Sequence, residues 1–170
     1  HALQFLKSYR QEYNDFVSKH EQATFLNTVA WGKLKETNGW KYELLGFKEN
    51  KKVIAAMMLL SKNTPIKKKM FYAPRGFVLD YHNQKLLKEF TLASKKYVKE
   101  HNGIFIKIDP YVMHKQRDID GNIVEGGIDN SNIIGFLINN LPIKEYYLND
   151  QITPYRKITK EQAWCLASGI

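Results

Sequence analysis

Lys52-Val53-Ile54-Ala55-Ala56-Met57-Met58-Leu59-Leu60-Ser61 holds an unbroken apolar run between a lysine and a serine. The run is far shorter than the roughly 20 residues a membrane-spanning helix needs. It also lacks the polar alternation of a strand with one wet face, so it reads as a strand covered on both sides, at the centre of a sheet. Upstream, Trp40 to Phe47 reads as a strand, and Glu49-Asn50-Lys51 as the turn joining the two. Downstream, Met70 to Ala73 is a third strand. Pro74-Arg75-Gly76 follows, where a regular ladder is hard to continue.

Helices flank this core on both sides. Ser8 can cap a helix whose Tyr9, Tyr13, Phe16 and Val17 recur at helical spacing. Thr28 can cap a second, short one carrying Ala30, Trp31 and Leu34, ended by Asn38-Gly39. After Asn83 comes the clearest pattern: Leu86, Phe90, Ala93 and Tyr97 on one face, Lys85, Lys88, Lys95 and Lys99 on the other. His101-Asn102-Gly103 ends it, Ile104 to Ile108 forms the next strand, and Asp109-Pro110 closes that strand. Asp118 to Asn122 is a turn, and a last helix runs from Ser131 to Asn139. The order ααβββαβα predicts an α+β fold, a mixed sheet with helices packed on it. Residues 141–170 carry weak periodicity and are expected to form an atypical or truncated tail to a domain over 1–140. Because the chain opens His1-Ala2-Leu3 without Met, its true start is expected to have been trimmed or replaced.

The chain has 170 residues, 44% of them apolar and 25% charged, an ordinary globular composition. A single cysteine, Cys165, excludes an internal disulfide and fits a reducing compartment. Net charge is +9, from 26 Lys and Arg against 17 Asp and Glu. That field favours phosphate-rich partners such as RNA, nucleotide-linked substrates or anionic lipid headgroups. A lysine-rich composition beside many Asn and Ile is the plain alternative. Arginine, the better base reader, is scarce, which argues against sequence-specific nucleic-acid readout and against DNA.

No phosphate-binding glycine loop, dinucleotide fingerprint or nucleophile elbow is present. Five scattered histidines and one cysteine offer no metal-ligand spacing. Asp118-x-Asp120-Gly121 has its glycine too early for a calcium loop and reads as a turn. Lys62 to Lys69 holds Lys62, Lys67, Lys68 and Lys69 and no acid, as a solvated loop or as a sequence-independent phosphate contact. Asp109 to Asn130 is instead acidic, through Asp109, Asp118, Asp120, Glu125 and Asp129. It either faces a cationic substrate group or is turn chemistry. Asp109 stands out because it ends an apolar strand at the sheet rim, where α/β-type folds collect ligands. The alternative is a carboxylate capping the amides of its own turn.

Phe25-Leu26-Asn27-Thr28-Val29-Ala30-Trp31-Gly32-Lys33-Leu34-Lys35, Tyr72-Ala73-Pro74-Arg75-Gly76-Phe77-Val78-Leu79-Asp80-Tyr81 and Lys107-Ile108-Asp109-Pro110-Tyr111 are three stretches that point one way. Together they resemble the Fem-type aminoacyltransferases, the family that builds peptidoglycan cross-bridges. Gly121, Gly127 and Asp129-Asn130-Ser131 fit the same pattern, in order, over about Tyr13 to Asn139. The resemblance implies a GNAT-like (acyl-CoA N-acyltransferase-like) unit. It implies transfer of an amino acid from aminoacyl-tRNA to the stem-peptide amine of a lipid-linked or UDP-linked peptidoglycan precursor. It implies no cofactor and no metal, and a cytoplasmic site of action with peripheral contact at the inner face of the membrane. It places Lys33, with Lys35 as second choice, at the precursor's phosphates, and Asp109 at the acceptor amine. Trp31, Arg75, Asp80 and Tyr111 fall in matched motifs and are expected to contact substrate.

Aminolysis of an activated ester needs amine and carbonyl brought together and the oxyanion stabilised. A carboxylate with a pKa of about 3.9 is a poor base for an ammonium near about 10.4, so the role expected of Asp109 is to grip and orient the amine. The Arg/Gln-x-x-Gly-x-Gly/Ala loop of acetyl-CoA users is absent, which sets aside a CoA acetyltransferase. Family members carry two such units and a helical arm, so this chain is expected to act as a first unit. A non-catalytic module binding tRNA or anionic precursor is the competing expectation.

Overall fold

Asn50 and Lys51 both adopt left-handed backbone, φ 48° and 66°, the conformation that matches a two-residue turn to the twist of its strands. The hairpin they close pairs β2 (Lys41–Glu49) with β3 (Lys52–Asn63), antiparallel, from Glu49↔Lys52 to Lys41↔Ser61. The computed structural model describes residues 4–5 and 10–140. Expectations for Ser8, Tyr9 and 141–170 lie outside them. The described residues divide into two compact units after Tyr111.

In the first unit β1 (Gln4–Phe5) and β4 (Lys69–Ala73) pair with β2 and β3, both antiparallel, and β5 (Gly103–Ile108) pairs with β4 in parallel. The order β1-β2-β3-β4-β5 makes the apolar run the middle strand, with Ala55 to Leu60 fully buried. β1, which pairs only two residues, was not foreseen.

Strand alternation sorts the side chains. Tyr42, Leu44, Ala56, Met58 and Leu60 face one side, where they cluster with Tyr13 and Val17 of α1 (Arg10–Val17). Val29 and Trp31 of α2 (Val29–Glu36) pack against that cluster, as does Tyr72. On the other side lies α3 (Gln84–Glu100), whose Phe90 meets Phe47 and Phe77 edge to face at 4.9 and 4.8 Å. Asn83 caps α3 by accepting from Leu86 N, and Thr28 caps α2 by accepting from Trp31 N.

The short helix α2 packs through its backbone. Leu34 is 52% exposed and Ala30 is exposed, whereas Gly32 is buried. A Cβ on Gly32 would stand 2.7–3.0 Å from the Tyr42 ring. Gly32→Ala, which ordinarily favours a helix by about 1 kcal/mol, is therefore expected to destabilise by about 1–3 kcal/mol through overpacking. Urea unfolding measures it, and a more stable variant would show that this contact gives way.

The second unit starts as a ladder closed at its tip by the turn expected at Asp118. Gln116 N donates to Ile128 O at 2.7 Å and Asn130 N to His114 O at 2.7 Å. Asp118 accepts from Asp120 N and Asn122 N, with Gly121 at φ 86°. Asp129 accepts from Ser131 N at the start of α4 (Ser131–Asn140) and pairs with Lys115 at 3.5 Å. Asp118 and Asp129 are thus spent on local backbone and ion pairing, which is turn chemistry.

Candidate functional site

Asp109 directly follows β5, and the parallel register with β4 decides what it meets. Tyr72 pairs with Lys107 and Ala73 with Ile108, so Tyr72, Lys107 and Asp109 share one face of the sheet. The Tyr72 hydroxyl donates to Asp109 Oδ2 at 3.0 Å, and Arg75 N donates to Oδ1 at 2.7 Å. Asp109 therefore caps the Pro74-Arg75 turn rather than its own. Arg75 has φ 48°, a left-handed backbone that costs a non-glycine residue about 1–3 kcal/mol. Burial first, then the Asp109 charge and hydrogen bond, push the Tyr72 hydroxyl far above its usual range, with Arg75 pulling the other way. It stays a donor at any physiological pH. Lys107 Nζ lies 5.3 Å from the centre of the Tyr72 ring, and the Arg75 guanidinium 5.7 Å from that of Tyr111.

A carboxylate offers about four acceptor positions, of which the turn amide and the phenol occupy two. Asp109 is half-buried and Tyr111 exposed, so the remaining lone pairs can be reached from the rim. The turn itself is anchored from behind. Asn27, fully buried, donates through Nδ2 to Pro74 O at 2.9 Å and accepts from Thr24 N at 2.8 Å. Tyr13 OH donates to the Asn27 carbonyl at 2.7 Å. Beyond Gly76, the buried Tyr81 hydroxyl donates to Phe77 O and accepts from Phe77 N, both at 2.8 Å.

The Asn27 tie also places α2. Its N-terminal end adjoins the Asp109 turn, on the sheet face that carries Tyr72. Lys33 is exposed, about 8 Å along the helix axis from the Thr28 cap. Lys35 Nζ sits 4.7 Å from the centre of the Trp31 ring, and Phe25, 68% exposed, meets the same ring edge to face at 5.6 Å. The Trp31 indole N–H is buried and finds no acceptor among the described residues.

Of the residues expected to form the site, Asp109, Arg75 and Tyr111 come together, and so do Trp31 and Lys35. Asp80 is exposed, its carboxylate accepting from His82 N at 2.9 Å. Asp80 also acts on His20, whose pKa burial holds below the usual histidine range while Glu21 and Asp80 pull it upward. Tyr72, Lys107 and Asn27 lie within the stretches that resemble the family, where sequence alone assigns them no role. The signal that finds Tyr72 and Lys107 is strand parity counted back from Asp109, and it needs the β4–β5 register.

The FemAB family model matches residues 9–140. Aminoacyltransferase FemA of Staphylococcus aureus (strain MW2) is 34% identical over 123 residues, 71% of this chain and 29% of FemA. The FemA of strain COL gives the same values. The crystal structure of FemX superposes with a TM-score of 0.65 at 24% identity, covering 81% of this chain and 31% of FemX. The fold is thus the expected α+β, GNAT-like one, and the chain spans less than a third of the length of these relatives. With the family model spanning α1 to α4, strands β2 to β5 and the Asp109 turn alike, the chain belongs to the FemAB family.

Proposed function

We propose that this chain is the acceptor-gripping part of an aminoacyltransferase of peptidoglycan cross-bridge synthesis. The reaction moves an amino acid from aminoacyl-tRNA to the stem-peptide amine of a lipid-linked or UDP-linked precursor. It takes place in the cytoplasm, with peripheral contact at the inner face of the membrane. The observation that carries this reading is the fixed carboxylate of Asp109, with acceptor positions to spare for an ammonium group. The kinship with FemA, named an aminoacyltransferase, supports the reaction class.

In this reading Asp109 receives the amine and aims its nitrogen, while the Arg75 amide and the Tyr72 hydroxyl keep the carboxylate from rotating. The bound ammonium first gives one proton to solvent. The amine then attacks the ester carbonyl, the C–N bond forms, the C–O bond breaks, and the tRNA ribose oxygen leaves as a hydroxyl with a proton from the attacking nitrogen. Bringing amine and ester together supplies much of the rate. Lys33 and Lys35 offer positive charge to the precursor's diphosphate, with the Trp31 ring beneath Lys35.

Calorimetric titration with UDP-muramyl pentapeptide tests it. The free amine is expected to bind at least about tenfold more tightly than the acetylated one, the worth of one charge-assisted hydrogen bond. Equal affinity, together with no transfer from charged tRNA even when the rest of a FemA-length chain is supplied, would overturn the proposal.

A further inference from the structure

The β3–β4 connection is a shaped tip. Thr64 N and Oγ1 both donate to Lys68 O, at 2.8 and 2.9 Å, and Lys67 takes φ 57°. The connection between α3 and β5 is stitched to it, with Asn102 Nδ2 donating to Lys67 O at 2.9 Å and Lys69 N to Asn102 O at 3.0 Å. This end of the sheet therefore presents a fixed surface. Its exposed side chains include Ile66 (70% exposed) and Ile104 (51%), with Lys67, Lys68 and Lys99, beside Pro65 and Asn102. Glu100 is also exposed there, paired with Lys96 at 3.8 Å.

We infer that this tip docks the protein on an anionic lipid bilayer, with Ile66 entering the apolar boundary and Lys67 and Lys68 meeting the headgroups. Lysines alone would suit any phosphate surface, and the isoleucines decide between them. RNA-binding surfaces use aromatic rings and arginines to stack on bases, and Lys62 to Lys69 contains neither. An apolar side chain flanked by lysines on a preformed loop gains from hydrocarbon and anionic headgroups together.

The geometry agrees with the proposed function, on which this orientation at the membrane rests. The tip precedes β4 and the Asp109 turn follows it, so they stand at opposite ends of that strand, about 15 Å apart along its length. A lipid-linked acceptor amine would then be met above the membrane surface rather than in it.

Co-sedimentation of the 170-residue chain with phosphatidylglycerol/phosphatidylcholine vesicles tests the inference. Binding is expected, together with little binding to phosphatidylcholine alone. Ile66→Ser is expected to weaken it about tenfold, and Lys67→Ala and Lys68→Ala about fivefold each. Absence of binding would overturn the inference, as would binding that none of the three substitutions changes. So would a tip that holds tRNA, lost in the lysine variants, while ignoring vesicles. Asp109→Asn is expected to leave vesicle binding unchanged, and Ile66→Ser to leave binding of soluble UDP-muramyl pentapeptide unchanged. Failure of the docking surface and failure of the proposed function are therefore read separately.

Discussion

Asp109→Asn is expected to weaken binding of the free-amine acceptor, and transfer to it, by about a hundredfold or more while the fold survives. Asparagine is isosteric. Its Oδ1 can still accept from Arg75 N, and its amide nitrogen can donate to the Tyr72 hydroxyl, so the two contacts at 2.7 and 3.0 Å have counterparts in the variant. What disappears is the negative charge that the proposed function sets against the acceptor's ammonium. Removing one partner of such a partly desolvated pair costs about 2–5 kcal/mol, and each 1.4 kcal/mol or so is a factor of ten. The acetylated acceptor, which carries no charge on that nitrogen, is expected to bind wild type and variant alike. Calorimetry with both acceptors and a transfer assay check this. Parallel losses for the two acceptors would show that the carboxylate acts through the turn and not on the amine. Tyr72→Phe is the milder companion, leaving the charge and removing one support.

Asn27→Ala is expected to be the most destabilising of the substitutions considered, by about 3 kcal/mol. The side chain is fully buried and serves two backbone groups, the N–H of Thr24 and the carbonyl of Pro74. Alanine leaves both without a partner, at about 1–3 kcal/mol each where water cannot replace it. Asn27→Asp separates the two contacts: it keeps an acceptor for Thr24 and turns a charged oxygen toward the Pro74 carbonyl, so it should be no better. Urea unfolding at neutral pH measures both. An alanine variant within about half a kcal/mol of wild type, the range of an ordinary surface change, would mean that solvent reaches this corner. Because Pro74 leads directly into the amide that holds Asp109, the surviving folded fraction should also bind the free-amine acceptor less tightly.

The local chemistry of the chain was legible. The apolar run at Val53 to Leu60 became the central strand, and Thr28 and Asn83 the caps. Of the turn expected at Glu49-Asn50-Lys51, Glu49 belongs to β2, and of the face Leu86, Phe90, Ala93 and Tyr97 all but the half-buried Ala93 form the buried side of α3. These follow from spacing within one element. What stayed hidden depends on partners distant in sequence. Gly32 gives no pattern, because its value lies in letting the Tyr42 ring come close. That Asp109 would hold the turn at Arg75, and not its own, depends on a parallel register that no stretch of sequence announces. For the same reason Tyr72 and Lys107 could be quoted inside matched motifs yet not assigned to one face. The acidic stretch could be read two ways until Asp118 and Asp129 were seen accepting from amides a few residues away.

The closure of β2 on β3 through two residues has a kinetic consequence. Short loops cost little chain entropy to close, whereas β4 and β5 meet only after the whole segment between Ala73 and Gly103 has been gathered in. The hairpin is therefore expected to nucleate assembly and the parallel pair to arrive late. The amide of Arg75, bonded to Asp109, is a natural reporter: in pulse-labelled exchange during refolding it should gain protection after the amides of Met57 and Leu59, which face β2, and earlier protection would reverse that order. The carboxylate is in that sense a product of completed folding, and a half-assembled chain with its central strands already formed would still have no grip on an amine.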